Sequence, residues 1–278
     1  MRIAITAEST IDLPKDLLEK YDIKTLPFSV ILGDNEYKDG EITSADIFKF
    51  VEENKILPKT SAINEAQYSE FFHERLKDYD AVVHFCLSSQ ISSACNNAKL
   101  AASAMKNVYV VDTKSLSTGI ALLAIYGREL ANEGKTAEEI FELCQTRTKD
   151  VQASFVVKKL DYLHKGGRCS SIALLGANLL SIRPEIVLSD GKMISAKKYL
   201  GKMEKVIEKY CKDVLADNPN PDKKYAFVTY TTATEEMVNI AKSALKEAGF
   251  ETIYETKAGA TITSHCGENT LGILFLNK

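Results

Sequence analysis

Ala81-Val82-Val83-His84-Phe85-Cys86-Leu87-Ser88-Ser89-Gln90-Ile91-Ser92-Ser93-Ala94-Cys95 is the stretch on which the fold turns. Its first seven residues are apolar apart from His84 and rich in Val and Phe, as in a strand buried on both faces. From Ala94 to Met105 the sequence reads as a helix. The run Ser88 to Ser93 therefore lies between a buried strand and a helix, and in an open α/β sheet ligands bind at that end of the strands. Two readings stand side by side. One serine caps the helix while the rest form an ordinary turn, or the hydroxyls cradle a ligand.

Outward from this stretch, strands and helices alternate. Arg2 to Ala7 reads as a strand, Pro14 to Tyr21 as a helix, and Leu26 to Leu32 as a second strand that turns at Gly33-Asp34-Asn35. Thr43 or Ser44 caps a helix to about Asn54, the loop Pro58 to Ala62 follows, and a helix covers about Asn64 to Lys77. After the serine run come a strand at Asn107 to Val111 and an apolar helix to about Ala131. A capping box at Thr136-Ala137-Glu138-Glu139 then opens another helix. This spacing predicts a parallel sheet covered on both faces over residues 1–150.

Beyond residue 150 the pattern changes. Ala153 to Leu160 is strand-like, and Ser189-Asp190-Gly191 between two apolar runs signals an antiparallel hairpin. Further strands are expected at Ala226 to Tyr230, Glu251 to Glu255 and Gly272 to Leu276. Helices separate them at about Lys202 to Leu215 and Glu235 to Ala248, and Asn218 to Asp222 reads as a loop. The expected architecture is α/β, with an N-terminal parallel-sheet α/β/α domain over 1–150 and a C-terminal α+β domain over 151–278.

Composition narrows the partners. The 278 residues are 45% hydrophobic, enough for a substantial core, and the net charge of −3 comes from charges of both signs mixed along the chain. No basic stripe suggests nucleic acid. The longest apolar stretches, near Ile120 to Tyr126 and Ile172 to Leu180, are far shorter than a membrane span, and the start turns polar too early for a signal peptide. A soluble, cytoplasmic protein is expected. Six cysteines without a C-x-x-C pair suit buried thiols in a reducing compartment.

The chemical inventory is narrow. The four histidines show no metal-ligand spacing, and neither G-x-x-x-x-G-K-[ST] nor G-x-G-x-x-G occurs. His73, His84 and His164 each have a structural reading, whereas His265 stands in the polar stretch Thr261 to Gly267. The glycines of Lys165-Gly166-Gly167-Arg168 read as a tight turn with positive φ, and Arg168 is free to contact an anion or an interface. A serine hydrolase built from Ser88 or Ser92 with His265 and Asp112 is the alternative reading, and Cys266 is a second conceivable nucleophile. It lacks a G-x-S-x-G elbow.

Taken in order, Glu8-Ser9-Thr10-Ile11-Asp12-Leu13-Pro14, Lys59-Thr60-Ser61, Leu87 to Ser92, Leu160-Asp161-Tyr162-Leu163 with Lys165-Gly166-Gly167-Arg168, and Ser264-His265-Cys266-Gly267 resemble the DegV family of bacterial fatty-acid-binding proteins. The resemblance spans nearly the whole chain. It implies a non-catalytic carrier that holds one long-chain fatty acid in a tunnel between two domains, with no cofactor besides that ligand. It also implies presentation of the carboxylate to a separate ATP-binding fatty-acid kinase subunit, for acyl-phosphate formation and phospholipid synthesis. Carried over by position, the carboxylate contacts fall on Thr60, Ser92 and His265, with Ser61 alongside. Ser93, Arg168, Lys197 and Lys198 are candidate supporting or partner contacts.

Neutral donors suit this task. A buried carboxylate is very costly without hydrogen-bond donors, and hydroxyls plus an imidazole N–H supply them without a permanent cation. Burial of each methylene contributes about 0.8 kcal/mol, so the tail can provide most of the affinity. The chain departs from the family pattern at Ala7-Glu8, where Thr-Asp is usual, at Gln90 and Ser93, where glycines are common, and at Leu200, where an arginine often meets the kinase.

Overall fold

A computed structural model describes residues 1–169 and 182–278; the apolar stretch Ile172 to Leu180 lies outside the described residues. The first strand, β1 (Ile3–Glu8), is buried along its whole length and is followed by a short 3-10 turn and α1 (Lys15–Lys20). Next come β2 (Ile23–Leu26), β3 (Ser29–Leu32), β4 (Asn35–Lys38), α2 (Ser44–Asn54), β5 (Lys59–Ser61) and α3 (Glu65–Leu76). The stretch around the serine run forms β6 (Ala81–Cys86) and α4 (Ala94–Ser103), and β7 (Val108–Asp112), α5 (Thr118–Asn132) and α6 (Ala137–Arg147) follow.

The later half begins with β8 (Val151–Val156) and α7 (Asp161–Gly166). The hairpin β9 (Ile182–Ser189) and β10 (Lys192–Leu200) leads to α8 (Met203–Asp217) and β11 (Pro221–Tyr230). The remaining elements are α9 (Glu235–Glu247), β12 (Thr252–Lys257), α10 (Ala260–Cys266) and β13 (Leu271–Asn277).

Three sheets result among the described residues. The order β2-β1-β6-β7 is parallel throughout, which agrees with the strand–helix alternation of the sequence. The order β10-β9-β8-β13-β11-β12 is mixed, with β11 and β12 parallel and the other pairs antiparallel. A small antiparallel sheet, β4-β3-β5, completes the set. Between the two larger sheets runs α5, packed on β1 and β6 on one side and on β8, β11 and β13 on the other. That position explains why the helix is apolar nearly all round. At Gly127 a Cβ would lie 2.7 Å from Phe85, so only glycine lets the helix settle this close to β6.

Local chemistry accounts for many boundaries. Thr43 with Asp46, Asn64 with Gln67, and Thr136 with Glu139 form reciprocal capping boxes. Asp190 and Gly191 both take positive φ, 46° and 78°, as a two-residue hairpin turn requires.

Five expectations are corrected. Leu26 to Leu32 is not one strand: Pro27, which has no N–H to donate, separates β2 in the parallel sheet from β3 in the small one. Lys59 to Ser61, read as loop, pairs with β3 as β5. The strand expected to reach Leu160 stops at Val156, and the loop at Asn218 to Asp222 ends early because β11 starts at Pro221. The polar stretch before the final strand is the helix α10. Among the described residues no helix is long and apolar enough to cross a membrane.

Candidate functional site

The site is assembled around α10, a helix whose sequence Ala260-Thr261-Ile262-Thr263-Ser264-His265-Cys266 has weak helical propensity. Two carboxylates hold its start. Gly259 N–H donates to Asp12 Oδ1 at 2.8 Å and Ala260 N–H to Asp39 Oδ1 at 2.9 Å, which satisfies donors a helix otherwise leaves open. Ser117 Oγ lies 2.5 Å from the second oxygen of Asp12, and Ser9 Oγ donates to that of Asp39 at 2.9 Å. Burial pushes the Asp12 carboxyl up to about 8, so it carries a proton at neutral pH. In the sequence Asp12 shows only as part of the family stretch Glu8 to Pro14 and Asp39 not at all, because their partners lie 247 and 221 positions away.

From α10, His265 meets Thr60. Thr60 Oγ1 and His265 Nε2 are 2.8 Å apart. Burial, and then the charge of Arg168, push the imidazole down to about 4, so the ring is neutral with one donor and one acceptor nitrogen. Its Nδ1 is buried without a hydrogen-bond partner and lies against Gly166, where a Cβ would stand 2.8 Å from it. The two loop glycines thus have separate reasons. Gly166 permits this approach, and Gly167 takes φ 69° to end α7.

Thr60, Ser92 and His265 line one cavity of about 170 Å³, together with Ser93 and Arg168. Phe28, Ala62, Leu87, Ile91, Leu116, Met193 and Ile262 supply its apolar wall. Along β5 side chains alternate, so Thr60 and Ala62 face the cavity while Ser61 points to solvent on the opposite side. Ser92 Oγ accepts the Ala94 N–H at 3.2 Å and keeps its own O–H to donate. It therefore caps α4 and faces the cavity at once, whereas Ser93 makes no capping bond and is exposed. Arg168 is exposed, and its guanidinium donates to the Gly166 carbonyl at 2.5 Å. A smaller void of about 30 Å³ shares Leu116, Ile262 and Cys266 with the cavity and continues inward toward Phe155 and Leu274.

Asp112, the acid of the hydrolase reading, does not join Ser92 and His265 at the cavity. Asp112 accepts from Ser89 Oγ at 2.5 Å and pairs with Lys114 at 3.1 Å. Burial alone would raise its carboxyl, but the Ser89 and Lys114 bonds outweigh it and hold the group below its ordinary value. Ser88 donates to the Gly191 carbonyl, and His265 is engaged with Thr60 rather than with Asp112. Burial pushes the Cys266 thiol up to about 12, far from a thiolate. Lys197 and Lys198 lie on β10 outside the cavity lining. Lys197 pairs with Asp217 at 2.5 Å, and Lys198 and Leu200 are exposed.

A sequence profile described as uncharacterised protein, DegV family, matches residues 2–278. The chain belongs to the DegV family. It is 32% identical to the fatty acid-binding protein of Thermotoga maritima, over 98% of this chain and 96% of that one. A solved structure described as fatty acid binding of a DegV family protein from Thermus thermophilus superposes with a TM-score of 0.92 at 28% identity, with both chains fully covered. The structure of DegV, a fatty acid binding protein from Bacillus subtilis, gives 0.87 at 27% identity, again with full coverage of both.

Within this DegV-family chain Glu8 joins the end of β1 to the start of the serine loop. Tyr68 O–H donates to Glu8 Oε1 at 2.6 Å, and Leu87 N–H donates to Oε2 at 2.5 Å. Burial pushes this carboxyl up to about 7. Glu8, His84 and Cys86 have ligand atoms within 4.8 Å of one another, a grouping invisible to sequence spacing because β1 and β6 bring it together. His84, pushed down to about 3 by burial, stays neutral there, with Thr6 Oγ1 2.8 Å from its Nδ1.

Proposed function

We propose that this protein binds one long-chain fatty acid, with the carboxylate at Thr60, Ser92 and His265 and the acyl chain along the apolar wall toward Leu116 and Ile262. The observation that carries the reading is the Thr60–His265 pair, 2.8 Å apart at the edge of a largely apolar cavity that Ser92 also lines. With the proton on Nε2, a neutral His265 donates to Thr60 Oγ1, and the Thr60 and Ser92 hydroxyls are then free to donate to a carboxylate without a buried permanent charge. The descriptions of the Thermotoga, Thermus and Bacillus relatives support the same ligand class.

The finer reading is a non-catalytic carrier of two domains, 1–150 and 151–278, that presents the carboxylate to an ATP-binding kinase subunit. Sheets built from separate halves of the chain support the domain division. The exposed Lys198 on β10 and the exposed Arg168 at the cavity edge are the partner contacts of this reading. Mass spectrometry of the lipid extracted from purified protein tests the binding reading: close to one fatty acid per chain is expected. Absence of lipid together with no uptake of added oleate or palmitate refutes it. Trapping of acyl phosphate as a hydroxamate, with a kinase subunit and ATP, tests the presentation step.

A further inference from the structure

The serine loop is tied to the β9–β10 hairpin by a side chain that does not line the cavity. Ser88, fully buried, donates from Oγ to the Gly191 carbonyl at 2.8 Å, at the turn of the hairpin. The same Oγ accepts the Gln90 N–H at 3.2 Å, and the Ser88 carbonyl accepts the N–H groups of Ile91 at 2.9 Å and Ser92 at 3.2 Å. Its own N–H donates to the Ser115 carbonyl at 2.9 Å, next to Leu116. Ile91, Ser92, Leu116 and, on the hairpin, Met193 are all cavity walls.

Three pieces of the wall therefore meet at one residue, whose hydroxyl supplies the bond to the hairpin. The hairpin tip is seated tightly: a Cβ on Gly191 would collide with Ser88 Oγ and come within 2.9 Å of Lys114 Cδ. Beyond the tip, β10 is the edge strand of its sheet among the described residues, with alternate side chains exposed, and none of the described strands holds the hairpin down on its outer side. A buried carbonyl that loses its donor is costly, which favours lifting of the tip toward water.

We infer that Ser88 is a positioning residue that latches the β9–β10 hairpin over the cavity and sets how long a bound fatty acid stays. The inference rests on the fatty-acid reading above. Its role also accounts for a serine at this place that is neither nucleophile nor ligand contact.

The test measures release of a labelled fatty acid from loaded protein to acceptor vesicles. Ser88→Ala is expected to release roughly tenfold faster, the factor of one lost buried hydrogen bond, while saturating ligand still fills one site per chain. Amides of residues 186–194 are expected to exchange faster. Ser88→Cys, which keeps the size of the side chain but replaces the hydroxyl by a weak donor, covers the case in which the alanine variant does not fold. It too is expected to release faster than wild type. Wild-type protein that takes up no fatty acid overturns the binding reading itself. Wild-type protein that binds, with the folded Ser88 variant matching its release rate, overturns the latch alone.

Discussion

Replacement of Thr60 by valine removes one hydroxyl while keeping nearly the same shape, so it isolates the polar part of the site. In the wild type Thr60 Oγ1 lies 2.8 Å from His265 Nε2, and Nδ1 of the same ring has no partner. The variant leaves both ring nitrogens of a buried histidine unpaired. A buried polar group stripped of its partner costs about 1–3 kcal/mol, so the ligand-free protein is expected to lose that much stability. Binding loses a hydrogen bond to a charged carboxylate, about 1.5–3 kcal/mol, which raises Kd roughly 10- to 150-fold. Titration of delipidated protein with palmitate measures the second quantity, and denaturant unfolding the first. The double variant Thr60→Val with His265→Phe removes both members of the pair and is expected to be less damaged than the sum of the singles, by about 0.5–3 kcal/mol of coupling. Palmitate affinity within twofold of wild type in a folded Thr60→Val protein refutes the reasoning.

Three further outcomes follow from the same geometry. Gly166→Ala places a methyl 2.8 Å from His265 Nδ1 and is expected to turn the ring away from Thr60, weakening fatty-acid binding about tenfold with little change in circular dichroism; unchanged affinity contradicts the close approach. Ser92→Ala removes a donor and a cap to α4, with an expected loss of about 1 kcal/mol in stability and at least as much in ligand affinity, read by unfolding and titration in parallel. The Asp12 carboxyl, raised to about 8 in the folded protein from 3.8, binds a proton that the unfolded chain does not hold at neutral pH. Its contribution to stability is therefore present at low pH and lost as pH rises through 8, by about 1.4 kcal/mol between pH 7 and 9. Asp12→Asn keeps an acceptor for Gly259 N–H and gains a donor for Ser117, so its stability is expected to lack this fall; an equally steep fall in the variant assigns the slope to other groups.

Patterns that reach only a few residues were legible in the sequence. Buried apolar strands such as Ala81 to Leu87, the Thr136–Glu139 capping box and the Asp190-Gly191 turn each declare themselves locally. What stayed hidden is held by distant partners. Lys59-Thr60-Ser61 is too polar to read as a strand and becomes one by pairing with Ser29 to Ile31. The hydroxyl-rich, β-branched Thr261-Ile262-Thr263-Ser264 reads as extended until Asp12 and Asp39 supply the caps of α10. At the site, family resemblance placed Thr60, Ser92 and His265, and the structure brings these three to one cavity. It leaves Ser61 outside, because alternation along β5 turns that side chain to the other face. Asp112, which the sequence offered as a triad member, is already committed to Ser89 and Lys114.

The separation of Thr60 and His265 by 205 positions also orders events during synthesis. A nascent chain acquires β1, β6 and the serine loop early, but the imidazole leaves the ribosome long after the hydroxyls it must join. The same delay applies to the six-stranded sheet, since β13 inserts between β8 and β11 rather than adding at an edge. Until that strand docks, the apolar faces of β8, β11 and α5 remain open to water and to other chains. The helix that carries His265 and the strand that completes the sheet are thus among the last segments synthesised, and a ligand that binds the finished cavity stabilises the whole chain by mass action.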